Sequence, residues 1–183
     1  MSKSIAVLVG SLRKDSYNLK VAKVLQNIAP KNLDLNIIQI DDLPFYNEDI
    51  DTDSPPASYT RFRNDIAKCD GVILVSPEYN RSVPAAIKNA LDVGSRPYGK
   101  SVWAGKPTAV VTVSMGAIGG FGANHHLRQS LVFLDMPVLQ QPEAYVGNIT
   151  SAFDDQGNIN EHTKGFLQNI VNSYANWVEK ITK

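Results

Sequence analysis

The sequence predicts a doubly wound α/β domain, and three observations carry that reading. Five short apolar runs rich in β-branched residues recur along the chain. Stretches with apolar residues at helical spacing lie between them. The first, third and fourth runs are almost continuously apolar, which is how strands read when both faces of a parallel sheet are covered. Five strands alternating with helices form a sheet wrapped by helices on both sides.

The elements follow in order. "SIAVLVG" (4–10) is the first strand. "SYNLKVAKVLQNIAP" (16–30) sets Leu19, Val21, Ala22, Leu25 and Ile28 on one helical face. "LDLNIIQI" (33–40) is the second strand. The acidic, proline-bearing segment 41–57, "DDLPFYNEDIDTDSPPA", reads as a surface loop ordered by a partner subunit. A helix over 58–69 leads to "GVILVS" (71–76), a helix over 84–94 to "TAVVTVS" (108–114), and a helix over 122–135 to "PVLQQPEAYV" (137–146). The last helix covers 160–181. There is no internal repeat or linker, so the 183 residues are expected to form one domain, 1–183.

Composition narrows the function classes. Lys plus Arg and Asp plus Glu are both 18, so there is no basic footprint for nucleic acid. The one cysteine, Cys69, has no partner for an internal disulfide, which favours a reducing compartment. The apolar run Ile5 to Val9 is too short for a signal core, and no stretch approaches a membrane span. The expected setting is the cytoplasm.

Ligands of such sheets bind outside the carboxyl ends of the strands, where strand order reverses. Three loops therefore matter most. "GSLRKDSYN" (10–18) runs from a strand into a helix and aims free N–H groups and a helix dipole at an anion. Ser11 and Ser16 add hydroxyls, Asn18 an amide, and Arg13 a planar fork suited to phosphate. An ordinary N-cap at Ser16 with solvated Arg13 and Lys14 explains the same residues. The loop lacks G-x-G-x-x-G and G-x-x-x-x-G-K-[ST], so a single terminal phosphate fits better than a pyrophosphate. "SMGAIGGFG" (114–122) holds Gly116, Gly119, Gly120 and Gly122, which permit positive φ and close approach to a flat ligand. In "SPEYNRSVP", Pro77 and Pro84 bracket a stiffened loop whose N–H groups face a ring edge, with Pro84 opening the next helix. A monophosphate at one end and a planar heteroaromatic at the other describe FMN.

These motifs resemble a known family. "GSLRKDSYN", "PEYNRSVPAAIKNALD", "AGKPTAVVTVSMGAIGG" and "LRQSLVFLDMPVLQQPE" are similar to the NADPH-dependent FMN reductase family, which includes bacterial quinone and chromate reductases and azoreductases. The likeness runs from residue 4 to about residue 148, with the motifs in order. It implies a flavodoxin-like fold with a five-stranded parallel sheet in the order 2-1-3-4-5. It implies that Ser11, Arg13, Ser16 and Asn18 hold the FMN phosphate, with Leu12 and Tyr17 in the same loop. Pro77, Glu78, Tyr79 and Asn80 would line the isoalloxazine edge largely through main-chain groups, with Ser114, Met115 and Gly116 on the other side. No catalytic side chain is implied, because the flavin N5 carries the hydride. NADPH or NADH would donate it, and quinones, free flavin, chromate or azo compounds would accept it by ping-pong kinetics. A homodimer or homotetramer is expected, with His125 and Glu143 at the interface. Asp15, Val93 and Ala85 depart from residues frequent in the family, namely glycine, tryptophan and glycine.

Other residues carry less. His125 and His126 are adjacent and diverge by about 100° on a helix, so they do not chelate one ion, and no metal site is expected. His162 reads as a surface residue at a helix entry. Cys69 lacks a basic cluster to activate it, and no G-x-S-x-G elbow is present. Tyr98 and Trp103 lie in a loop long enough to reach a neighbour, as interface or substrate platform. Arg81 and Lys100 are candidates for a 2′-phosphate and equally for surface charge. The alternative function is a flavodoxin-like electron carrier or flavin-binding module without nicotinamide chemistry. Such carriers are usually strongly acidic, and this chain is neutral.

Overall fold

The computed structural model describes residues 2–182. Five strands, β1 (Lys3–Val9), β2 (Leu33–Ile37), β3 (Gly71–Ser76), β4 (Thr108–Val113) and β5 (Ala144–Val146), form one parallel sheet in the order β2-β1-β3-β4-β5. Helices α1 (Tyr17–Ile28), α2 (Ala57–Ala67), α3 (Ala85–Gly94), α4 (Phe121–Phe133) and α5 (Glu161–Ile181) connect and cover it. The fold class read from the sequence and the strand order implied by the resemblance both hold.

The continuously apolar strands divide their side chains by the period of two. Ile5, Val7, Ile73 and Val75 go to the core under α1 and α5, with Val21, Leu25, Leu167, Val171 and Val178. Ala6, Leu8, Val72 and Leu74 go to the core under α2, α3 and α4, with Phe62, Ile66, Ile87, Leu91 and Leu127. Chain order reverses between β1 and β3, since β2 lies to one side and β4 to the other. The crevice this creates is at the carboxyl ends of the strands.

Two expectations need correction. The run 137–146 is not one strand. Val138 makes an isolated bridge to Thr108, the chain leaves the sheet, and β5 begins only at Ala144. Pro137 and Pro142 lack the N–H groups that a continuous ladder needs. The segment 41–57 is tied to its own chain by several hydrogen bonds. Tyr46 N–H donates to Asn89 Oδ1 at 2.7 Å, Asn89 Nδ2 donates to the Pro44 carbonyl at 2.9 Å, and Tyr59 OH donates to the Phe45 carbonyl at 3.0 Å. Both Arg63 Nη atoms donate to Asp51, whose side chain is only 2% exposed. Trp103 is no surface platform. It is fully buried, packs edge-on to Phe62, and donates Nε1–H to the Leu91 carbonyl at 2.9 Å. Tyr98, by contrast, is exposed. Cys69 is buried near the end of α2, and burial pushes its thiol pKa up.

Among the described residues, no helix is long and apolar enough to cross a membrane.

Candidate active site

Three loops meet at the strand-order reversal and border an open cleft of about 130 Å³. Ser11, Arg13, Ser16, Tyr17 and Asn18 line one side, Pro77, Glu78 and Tyr79 the second, and Ser114 and Met115 the third. Three other predicted residues lie off this lining. Leu12 lines a separate depression against Ile37 to Ile40. Asn80 is at the tip of a turn, and the Gly116 carbonyl accepts from Asn148 and Gly119 N–H. Val113 and Ile149 also line the cleft and had not been expected. Ile149 has no local signal in the sequence. Its N–H donates to the Ser114 carbonyl at 3.2 Å, a contact made only once the chain has passed through β5.

In the first loop, the two readings of Ser16 are both present. Its Oγ accepts from Leu19 N–H at 3.4 Å and so caps α1, while the residue also borders the cleft. The N–H groups of Tyr17 and Asn18 belong to the uncommitted first turn. Asn18 is 5% exposed, and its Oδ1 is the one buried side-chain polar atom without a partner among the described residues. Among the described residues Arg13 makes no ion pair. Asp15 is exposed. The loop thus keeps a cation, hydroxyl groups and a helix terminus unspent.

The second loop is a tight hairpin. Tyr79 and Ser82 exchange N–H···O bonds of 3.1 and 2.9 Å, and both residues between them have positive φ, 51° at Asn80 and 62° at Arg81. That is the turn with two left-handed residues, which asparagine tolerates well and arginine poorly. The Glu78 side chain does not enter the cleft chemistry. Its Oε2 accepts from Ala123 N–H at 3.0 Å, and Arg81 Nη1 approaches Oε1 at 3.4 Å.

The third loop needs its glycines for packing. Gly119 and Gly120 have φ of +66° and +79°, and a Cβ there would sit 2.8 Å from the Tyr145 carbonyl carbon and 2.9 Å from Thr112 Cβ. Only at Gly116 is the space open, with Ser114 Oγ the nearest atom at 3.7 Å. Ser114 Oγ accepts from Gly116 N–H at 3.1 Å. Tyr79, Met115, Ile118 and Phe121 stay exposed on the second and third loops. Tyr145 OH lies 3.1 Å from His125 Nε2. Burial and then the Glu143 carboxylate raise the Tyr145 pKa. Among the described residues, no group of three or more His, Cys, Asp or Glu side chains is placed to hold a metal.

The sequence matches the family described as NADPH-dependent FMN reductase over residues 4–151. The chain belongs to that family. A quinone reductase of Pseudomonas putida is 61% identical over 176 residues, covering 96% of this chain and 95% of the relative. A 2-hydroxy-1,4-benzoquinone reductase of a Burkholderia species is 45% identical, covering 97% of both chains. The solved flavoenzyme NAD(P)H:(acceptor) oxidoreductase FerB of Paracoccus denitrificans superposes with a TM-score of 0.91 at 43% identity, covering 97% of this chain and 98% of its own. As a member of the FMN reductase family the protein is an NAD(P)H-dependent oxidoreductase that uses FMN. The carrier without nicotinamide chemistry is set aside. The residues present suit such a group: unspent donors at one end of the cleft and an open, partly apolar rim at the other.

Proposed function

We propose that this cleft holds FMN and that the enzyme reduces quinones with NAD(P)H. The observation that carries the reading is the buried, unpartnered Asn18 amide beside Ser11, Arg13 and the first turn of α1. An orphaned buried acceptor costs about 1–3 kcal/mol, and a chain retains one where a ligand completes it. Arg13, the two serine hydroxyls and the helix N-terminus are the partners a monophosphate requires. Asn18 Oδ1 would accept from a ribityl hydroxyl. Pro77, Glu78 and Tyr79 would border one edge of the ring through main-chain atoms, with Ser114 and Met115 opposite. Leu12, Asn80 and Gly116 belong to the supporting loops.

Bound FMN supplies the hydride chemistry, taking a hydride from NAD(P)H and returning reducing equivalents to the acceptor. The chain's part is to orient and to stabilise charge. Of the titratable residues on the cleft lining, Arg13, Tyr17, Glu78 and Tyr79, the one carboxylate is already held by the Ala123 N–H. Backbone N–H groups of the second and third loops would donate to the ring edge. The exposed rim of Tyr79, Met115 and Ile118 suits a flat, apolar acceptor, and the relatives named as quinone reductases favour a quinone over chromate or azo compounds. One open face implies that oxidised nicotinamide leaves before the quinone enters. Initial rates at varied NADPH and several fixed quinone concentrations are expected to give parallel double-reciprocal lines. Intersecting lines would require a ternary complex and refute this kinetic scheme.

The same reading includes a homodimer or larger assembly. Val132 and Phe133 at the end of α4 are 77% and 84% exposed, apolar surface that a second copy would cover. A 20.1 kDa species in light scattering across micromolar concentrations would contradict assembly.

A further inference from the structure

The hairpin after β3 sits on α4 in an unusual way. α4 begins after Gly120, which has a left-handed backbone and no side chain to cap the helix. Its first-turn N–H groups need acceptors from elsewhere. Glu78 supplies one from the neighbouring loop, with Oε2 3.0 Å from Ala123 N and a side chain only 12% exposed. A carboxylate is also the favoured charge at a helix N-terminus. One turn further on, Ser82 Oγ lies 2.9 Å from His126 Nδ1, so both ends of the hairpin are tied to α4. Gly122 completes the seat. A Cβ there would come within 2.7 Å of the Arg81 carbonyl oxygen and 3.0 Å of Glu78 Oε2. The pair between Glu78 and Arg81 does not account for the carboxylate, because Arg81 is 74% exposed and the separation is 3.4 Å.

We propose that Glu78 is a positioning residue: it caps α4 from outside the helix and thereby sets the spacing between the two loops that flank the cleft. Pro77 and Tyr79, its immediate neighbours, line the cleft, and α4 continues the loop that carries Ser114 and Met115. One side-chain bond therefore joins opposite walls. The reach is specific. Glutamine keeps the acceptor oxygen at the same distance, aspartate is one methylene too short, and alanine removes it. The inference rests on the cleft being the FMN site.

The test compares Glu78→Gln, Glu78→Asp, Glu78→Ala and Gly122→Ala by two readouts. Hydrogen exchange at the Ala123 amide reports the cap, and FMN titration of the apoprotein reports the cleft. The expected result is loss of Ala123 protection and at least tenfold weaker FMN binding in Glu78→Asp and Glu78→Ala. Glu78→Gln should stay within about threefold of the parent on both. Gly122→Ala should weaken FMN binding with Glu78 unaltered, which separates loop spacing from the chemistry of the carboxylate. Glu78→Asp is the milder of the two disrupting changes and serves if the alanine variant does not fold. Ala123 protection unchanged in Glu78→Asp, or lost with FMN affinity intact, would overturn the proposal. The cleft assignment is judged separately by Arg13→Ala, which touches neither hairpin nor α4.

Discussion

Two loops at the carboxyl edge of this sheet look alike in sequence and differ in what their polar groups do. Residues 11–18 and residues 41–57 are both dense in charged and hydrogen-bonding side chains. The second loop spends its groups inward. Asp51 is held by Arg63, the Tyr46 N–H goes to Asn89, and the Asn47 side chain accepts from Asp49 N–H at 3.0 Å. The first loop spends almost none, apart from the Ser16 cap, and leaves one buried amide oxygen unpaired. Polar density alone therefore does not mark a binding loop. The mark is polar density without partners in the chain, since a fold that retains unpaired groups loses stability by keeping them.

The sharpest way to break this comparison is to unfasten the spent loop. Arg63→Ala leaves Asp51 buried and unpaired, and the loss of unfolding free energy is expected at about 3–5 kcal/mol, read by denaturant titration. FMN affinity per folded molecule should hold, so a parallel loss of FMN binding would merge the two loops into one functional unit. Arg13→Ala should do the reverse. It is expected to lower FMN affinity by about 1.5–3 kcal/mol, the range for a hydrogen bond to a charged group, with the melting temperature of the apoprotein unchanged. Unchanged affinity would remove Arg13 from the site.

Acid sharpens the contrast. Hydrogen bonding from Arg63 holds the Asp51 carboxyl below the usual carboxylate range, against the opposing effect of burial. Its contribution is therefore complete above the unfolded pKa of about 4 and is lost as pH falls below that through the lower folded value. Denaturant midpoints of the parent should drop across that window, while those of Asp51→Asn should drop less. The smallest effect concerns the hairpin. Arg81 carries a φ of 62°, so Arg81→Gly should raise stability by up to about 1 kcal/mol. A loss of stability there would mean that the Arg81 side chain contributes more than its strained backbone costs.

The sequence made the fold legible where the physics is local. β3 and β4 are runs whose every residue is buried, as is β1 from Ile5 to Val9, and the alternating sides of the sheet need nothing beyond the period of two. β5 was misread because its extent depends on which N–H groups meet β4, and prolines at 137 and 142 interrupt that match. Trp103 was misread because a loop aromatic carries no local sign of the pocket between α2 and α3 that receives it. In the site, the strand-to-helix and strand-to-turn loops were visible as polar or glycine-rich interruptions after apolar runs. Two details were not. Ile149 reaches the cleft through a hydrogen bond to Ser114 across β5, and the glycines at 119, 120 and 122 are required by Tyr145, Thr112 and Arg81 rather than by open space. Both depend on contacts distant in sequence.

The central claim is that the first loop is left incomplete for a ligand, and Asn18 tests it most directly. Asn18→Ala removes the unpaired buried oxygen, so FMN titration and thermal melting of the apoprotein should be measured together. The account predicts that the melting temperature holds or rises while FMN binds about tenfold or more weakly, equivalent to at least ~1.4 kcal/mol. A destabilised apoprotein with FMN affinity unchanged would show that the amide serves the fold, and the account of the cleft would fail.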